Sequence, residues 1–243
     1  MAPSTTRHAS TSARAVIARM QRSWRTRILL CAAVVLLAPV PAILLCAVVQ
    51  PPTTAVMLER TMQRLVGGKR PVVPRHQAVA RAALSPNLRR AVLASEDQRF
   101  YLHHGIDFVE MQAAVSRRRA GGRLRGASTL SQQVAKNLFL WNGRSFIRKG
   151  LELYVALWLE LLLSKERILD LYLNLAEWGD GVFGAEAAAQ THFHKSAAQL
   201  SRDEAARLAA ILPAPQRWSP MGTIATRRAA LILTAMQITV PRP

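Results

Sequence analysis

Three stretches of this sequence hold polar side chains whose types and spacing could do chemistry. In the first, Ala91-Val-Leu-Ala-Ser95-Glu96-Asp97-Gln-Arg-Phe100-Tyr-Leu-His103-His104-Gly105-Ile-Asp107, two adjacent carboxylates follow an apolar helical run. At least one acid in such a place lies against a semi-buried wall, shielded from water yet near a substrate hydroxyl. A general base works in that setting, and Glu96 is the candidate. The competing reading makes Glu96 and Asp97 solvated residues at a helix end and His103 an ordinary interfacial histidine.

The second stretch is Gly126-Ala-Ser128-Thr129-Leu-Ser131-Gln132-Gln133-Val-Ala-Lys136-Asn137. On a helix, Thr129, Gln133 and either Lys136 or Asn137 recur at spacings of three and four. Hydroxyl, amide and ammonium groups then form one polar stripe able to bond sugars and phosphate oxygens. A capped amphipathic helix would also show a polar face, but one richer in Glu and Lys. The third stretch starts at Arg148-Lys149-Gly-Leu-Glu152 and runs to Leu163; from Leu151 onward it is apolar, aromatic or alanine except at Glu152 and Glu160. Carboxylates on a helix buried on most sides need partners, and Arg148, four residues before Glu152, can supply one. A purely structural buried ion pair fits as well, particularly for Glu160. A cation and carboxylate pair flanking a diphosphate is the functional reading.

The elements that must position these groups are helices. After Pro86 the apolar spacing predicts helices over Leu88–Ser95, Phe108–Arg118, Thr129–Phe139, Phe146–Ser164, Glu166–Leu175, Gly184–Thr191, Ser201–Leu212 and Thr226–Met236, with a Ser-Thr cap opening the third. Few stretches alternate with a strand period, so the fold class is mainly α. Arg117 to Arg125 reads as a basic loop, either simply solvated or guiding phosphate.

Upstream, Ile28 to Val49 is an uncharged apolar run of twenty-two residues, enough to cross a hydrocarbon core as a single transmembrane helix. Pro39 and Pro41 should kink it. A cleaved signal peptide would have a shorter core and a small-residue cleavage site, whereas this run leads into Gln50-Pro51-Pro52. Six arginines and no acid precede it (Arg7, Arg14, Arg19, Arg22, Arg25 and Arg27), a flank that stays cytoplasmic, so Gln50 onward is exported. The expected organisation is a basic tail over 1–27, the anchor over 28–49, a membrane-proximal segment and linker over 50–74, and one domain over 75–243. The charge of +19, from 33 Lys and Arg against 14 Asp and Glu, calls for an anionic partner. Export argues against nucleic acid and favours anionic lipid headgroups or pyrophosphate. Cys31 and Cys46 both lie in the apolar run, which supports neither a disulfide framework nor a thiol metal site.

In their order and spacing the motifs resemble the peptidoglycan glycosyltransferases, glycosyltransferase family 51. The resemblance runs from about residue 75 to about 220. It rests on Glu-Asp-x-x-Phe-x-x-His-x-Gly at Glu96 to Gly105, Gly-x-Ser-Thr-x-x-Gln-Gln-x-x-Lys-Asn at Gly126 to Asn137, Arg-Lys-x-x-Glu at Arg148 to Glu152, and Ile168-Leu-x-x-Tyr172-Leu-Asn174. Gly184-Ala-x-x-Ala-Ala, Phe193-x-Lys195 and the run from Glu204 to Pro215 continue it, with departures at Ala127 and His192.

That resemblance implies a lysozyme-like, two-lobed, mainly α glycosyltransferase domain with an apolar patch at the membrane. The reaction implied polymerises lipid II into β-1,4-linked glycan, with undecaprenyl diphosphate as the leaving group. Glu96 would deprotonate the acceptor 4-hydroxyl while Asp97 and His103 position it. Lys136 and Arg148, supported by Lys149, would meet the donor diphosphate, and Glu152 would orient those cations or a divalent ion, Mg2+ or Mn2+. Thr129, Gln133 and Asn137 would touch sugar or phosphate, and Phe100, Ser128 and Gln132 complete the expected substrate-binding set. The resemblance further implies the bacterial inner membrane with a periplasmic domain, partners among other cell-wall synthesis proteins, and, since no motif of a transpeptidase follows, the monofunctional type. A lytic transglycosylase or hydrolase would need a protonated acid in an apolar pocket and not Lys136 and Arg148; a non-catalytic scaffold is the third reading. The synthetic reading requires Glu96 and Glu152 to line one groove with a cationic floor.

Overall fold

The computed structural model describes residues 24, 26–67, 74–121, 128–143 and 145–238. The arginines before Arg27, the Gly126-Ala127 start of the second motif, and Arg123 and Arg125 lie outside the described residues. The chain divides into two compact units between Ala42 and Ile43.

The first unit holds, among its described residues, most of helix α1 (Thr26–Val48), 23 residues with a mean hydropathy of 2.8. This helix is long and apolar enough to cross a membrane. A turn at Ala38 and Pro39 interrupts it, where the two nearby prolines remove backbone donors.

The second unit begins earlier than the 75–243 domain expected from the sequence. Ile43 and Cys46 are buried in it, and Arg167 donates from Nε to the Cys46 carbonyl at 2.7 Å and from Nη2 to that of Val49 at 2.8 Å. These are carbonyls at a helix C-terminus with no partner inside the helix. Helix α2 (Ala55–Val66) follows, capped by the Thr54 hydroxyl.

The remaining helices start where a short polar side chain can accept from the first turn. Helix α3 (Pro86–Glu96) has Ser85 as cap and proline in its first turn; α4 (Phe108–Arg119) is capped by Asp107. Thr129 caps α5 (Leu130–Phe139), Ser145 caps α6 (Phe146–Leu162), and Ser164 caps α7 (Lys165–Leu175). After α8 (Ala185–Phe193), a capping box between Ser201 and Glu204 opens α9 (Arg202–Ile211). The last helix is α10 (Thr223–Ile238). Mainly α is therefore the fold class.

A small sheet was not expected. Strand β1 (Arg75–His76) pairs in parallel with β3 (Val182–Phe183), which pairs antiparallel with β2 (Glu177–Gly179). Two or three residues are too few for an alternating pattern to show. Gly184, next to this sheet, has a φ of +84°, and a Cβ there would stand 2.7 Å from the Asn174 carbonyl oxygen, so only glycine fits without displacement. Helix α5 packs against α2, α6 and α7, and α3 packs against α9 and α10.

Candidate active site

Glu96 is the last residue of α3, and Asp97 leaves the helix with φ −156°. The half-buried Glu96 and the buried Asp97 therefore face different surroundings. The Asp97 carboxylate accepts from His103 Nε2 at 3.0 and 3.1 Å and from the Leu130 backbone N–H at 2.9 Å. Leu130 opens α5, so a negative charge meets the positive end of that helix. The Gly105 carbonyl accepts from Thr129 Oγ1 at 2.7 Å and Gln132 Nε2 at 3.0 Å. Gly105 itself has a φ of +84°. The first two motifs are thus bonded to each other through buried polar groups, while His103 Nδ1 has no hydrogen-bond partner among the described residues.

On the other side of α5, Gln133 Nε2 donates to Glu96 Oε2 at 3.1 Å, and Gln133 Oε1 accepts from the Tyr172 hydroxyl at 3.1 Å. Glu96 borders a cavity of about 230 Å³ shared with Asp97, Arg99, Asp107, Ser128 and Thr129. Gln133 borders a second cavity of about 360 Å³, with Lys136, Asn137, Tyr172, Arg60 and Arg217 among its lining. One amide therefore connects the acid of the first cavity to the cations of the second. Burial holds the Lys136 ammonium below its ordinary pKa of 10.5, against the opposing pull of Glu152.

Glu152 is 4% exposed and borders neither cavity, which corrects the expectation that it lines the groove directly. One oxygen accepts from Arg148 Nη1 at 2.6 Å and the other from Lys149 Nζ. Lys149 also donates to Ser128 Oγ at 2.9 Å and Gln132 Oε1 at 2.8 Å. Ser128 stands on the rim of the Glu96 cavity, so Glu152 reaches that region through its cations. Arg148 is further fixed by a 2.9 Å bond from Nε to the Gly143 carbonyl.

Of the expected substrate-binding residues, Asp97, Ser128 and Thr129 border the first cavity, and Gln133, Lys136 and Asn137 the second. Phe100, His103, Gln132, Arg148 and Lys149 border neither. Phe100 is fully buried, edge-on to Tyr101 and His103 with the Lys165 ammonium 4.5 Å from its ring centroid, so it is core and not a substrate contact. His103 and Gln132 act through Asp97, Gly105 and Lys149. Glu160 is structural: it accepts from Lys165 Nζ at 2.8 Å and from Ser131 Oγ. Among the described residues, the three ionisable side chains close enough to share one ion are Asp97, His103 and Asp107, not a set with Glu152. Asp97 and Asp107 there already accept from backbone N–H groups and from His103 and Arg99.

The sequence motifs assign no role to Arg60, Tyr172, Glu177, Gln216 or Arg217. For Tyr172 there was a signal, since a tyrosine in an apolar helix needs a partner for its hydroxyl. The others come together only through the tertiary fold.

A family model described as transglycosylase matches residues 58–237, a longer stretch than the motifs alone cover. The chain is 54% identical over 192 residues to a Rhodospirillum centenum protein named biosynthetic peptidoglycan transglycosylase, covering 78% of this chain and 80% of the relative. Proteins of the same name from Pseudomonas putida (strain W619) and Pseudomonas syringae pv. tomato are similar. The first is 52% identical over 182 residues, covering 74% of this chain and 77% of the relative. The second is 50% identical over 192 residues, covering 78% and 80%. With this match spanning the acid-bearing end of α3, the polar face of α5 and the cation pair on α6, the chain belongs to the transglycosylase family.

Proposed function

We propose that this chain polymerises lipid II into β-1,4-linked peptidoglycan glycan strands and releases undecaprenyl diphosphate. The observation that carries the reading is the bond from Gln133 to Glu96, which joins a candidate base to the cavity of Lys136. The acceptor 4-hydroxyl attacks the anomeric carbon of the donor from the face opposite its diphosphate. The new C–O bond forms as the C–O bond to the diphosphate breaks, the electron pair leaves with the phosphate oxygen, and the hydroxyl proton passes to Glu96. One base and one neutralised leaving group suffice for inversion, without the second, protonated acid of a glycosidase.

Lys136 meets the diphosphate, aided by Arg148, and the cavity it lines receives the donor side; the Glu96 cavity receives the acceptor sugar. Glu152 serves by holding Arg148 and Lys149. A carboxylate whose two oxygens each face a cation is a poor fit to Mg2+ or Mn2+, which bind through several oxygens and water, so no step is routed through a metal.

The reaction takes place at the outer face of the bacterial inner membrane. Helix α1 anchors the chain with its basic flank in the cytoplasm, which leaves Gln50 onward periplasmic. Exposed Phe108, Val109, Met111 and Val115 on α4, followed by Arg117, Arg118 and Arg119, supply the apolar and cationic surface that a bilayer interface attracts.

The test is incubation of the purified full chain, in detergent or vesicles, with lipid II. Glycan polymer and undecaprenyl diphosphate are the expected products. Shortening of ready-made glycan without polymer would mark a hydrolase, and neither activity in a folded chain would mark a scaffold.

A further inference from the structure

We propose that Tyr172 is a positioning residue of the polymerisation reaction: its hydroxyl holds the Gln133 side chain in the one orientation that donates a hydrogen bond to Glu96. The inference rests on Glu96 being the base.

A primary amide has a donor end and an acceptor end, and its neighbours decide which way it faces. An ionised carboxylate only accepts, so the Gln133 nitrogen belongs beside Glu96, 3.1 Å from Oε2. The Gln133 oxygen is then turned to the Tyr172 hydroxyl, 3.1 Å away, which must donate. Rotating the amide by half a turn would set its oxygen against the carboxylate. It would also leave the phenol proton without this acceptor, in a side chain that is 1% exposed. A buried donor without an acceptor is costly, so Tyr172 biases the amide toward the base.

Two features make the phenol suited to this. Its ring is fully buried in α7, which packs against α5, so the hydroxyl has a fixed position relative to Gln133. Burial first, and the charge of Glu96 second, push its pKa well above the ordinary value of 10, so it remains a donor through any pH at which the enzyme works. A hydrogen bond to the charged form of a carboxylate favours that form. Tyr172 thereby helps to keep Glu96 ready to accept a proton, although it touches no reacting atom.

The test compares Tyr172→Phe, Gln133→Ala, the double variant and Glu96→Gln in lipid II polymerisation across pH, with helix content and melting temperature as folding controls. Phenylalanine keeps the ring in the core and removes only the donor. We expect Tyr172→Phe to lower kcat about ten-fold with KM little changed, and to move the acid limb of the kcat profile up by roughly half to one pH unit. Gln133→Ala should move the limb likewise, and the double variant should move it no further, since both act through one bond. An acid limb that stays in place in Tyr172→Phe while Glu96→Gln is inactive would overturn the proposal alone. Additive shifts in the double variant would overturn it too. Full activity in Glu96→Gln would remove the base assignment itself, and this inference with it.

Discussion

Arg60 and Glu177 stand 117 positions apart in the chain and are joined by two bonds to Glu177 Oε2, from Nε at 3.3 Å and Nη2 at 3.2 Å. The same carboxylate accepts from the Gly181 backbone N–H at 3.3 Å, and from Gln216 Nε2 at 3.3 and 3.1 Å. The helix that follows the anchor, the small sheet and the loop after α9 therefore converge on one acid. Arg60, Glu177 and Gln216 all border the Lys136 cavity. One residue before Arg60, Glu59 Oε2 accepts from the backbone and side chain of Asn142 at 2.7 and 2.9 Å. What reads in the sequence as a membrane-proximal linker is a wall of the site.

Removing that acid should loosen the wall. For Glu177→Ala we expect a loss of about 2 kcal/mol, since it leaves a partly buried guanidinium without its partner. In a domain of this size that lowers the melting temperature by about 4 to 8 °C. A double-mutant cycle with Arg60→Ala should show coupling of about 1 kcal/mol or more, and KM for lipid II should rise more than kcat falls. Independent, additive losses would mean that the pair does not act as a unit.

Replacing Glu96 by Gln retains its volume and can still accept from Gln133, while removing the base. We expect turnover to fall by roughly 10²- to 10⁴-fold with lipid II binding and folding preserved. Polymer assays run beside a binding measurement check this; undiminished turnover would end the assignment of Glu96.

Much of this was legible because helix starts are written locally. Ser85, Asp107, Thr129, Ser145, Ser164 and Ser201 each cap a helix from the position directly before it, so the expected boundaries fall within a few residues of those observed. The Arg148 to Glu152 pair was legible for the same reason, as an i,i+4 contact on one helix. Burial around the site was not. The motif groups Phe100 with substrate contacts, yet its ring fills the core under His103. That Lys149 reaches back to Gln132 and Ser128, 17 and 21 positions away, depends on how α5 and α6 cross. Nor could spacing reveal the sheet, whose strands are shorter than one full alternation.

Glu152 should behave as an organiser of cations. Glu152→Ala leaves Arg148 and Lys149 facing one another without a counter-charge, at a cost of about 2 to 3 kcal/mol. That lies below the cost of breaking a fully buried pair, because Lys149 keeps 38% of its side chain exposed. Glu152→Gln keeps an acceptor for one cation but not the charge, so it should recover part of the stability and little of the activity. Urea unfolding and polymerisation measured on the same preparations separate the two effects. Equal recovery of both would argue for a purely structural acid.

Lys136 should set the alkaline limit of substrate binding. Burial lowers its pKa from the ordinary 10.5, so its charge is lost at a lower pH than that of an exposed lysine. The effects on stability and binding have opposite signs. Below the folded pKa both folded and unfolded chains carry the proton, and the cost of burying the charge is present in full. Between the folded pKa and 10.5 the unfolded chain binds the proton and the folded chain does not, so stability from this group rises with pH across that window. Binding a diphosphate requires the ammonium, so affinity falls as pH rises through the folded pKa. KM for lipid II should therefore climb on the alkaline side at a lower pH than an ordinary lysine would dictate. Lys136→Arg, charged at every accessible pH, should bind more weakly near neutrality because its fork does not match the lysine site, yet lose no further affinity as the pH is raised. A KM that rises equally in both proteins would assign the alkaline limit to another group.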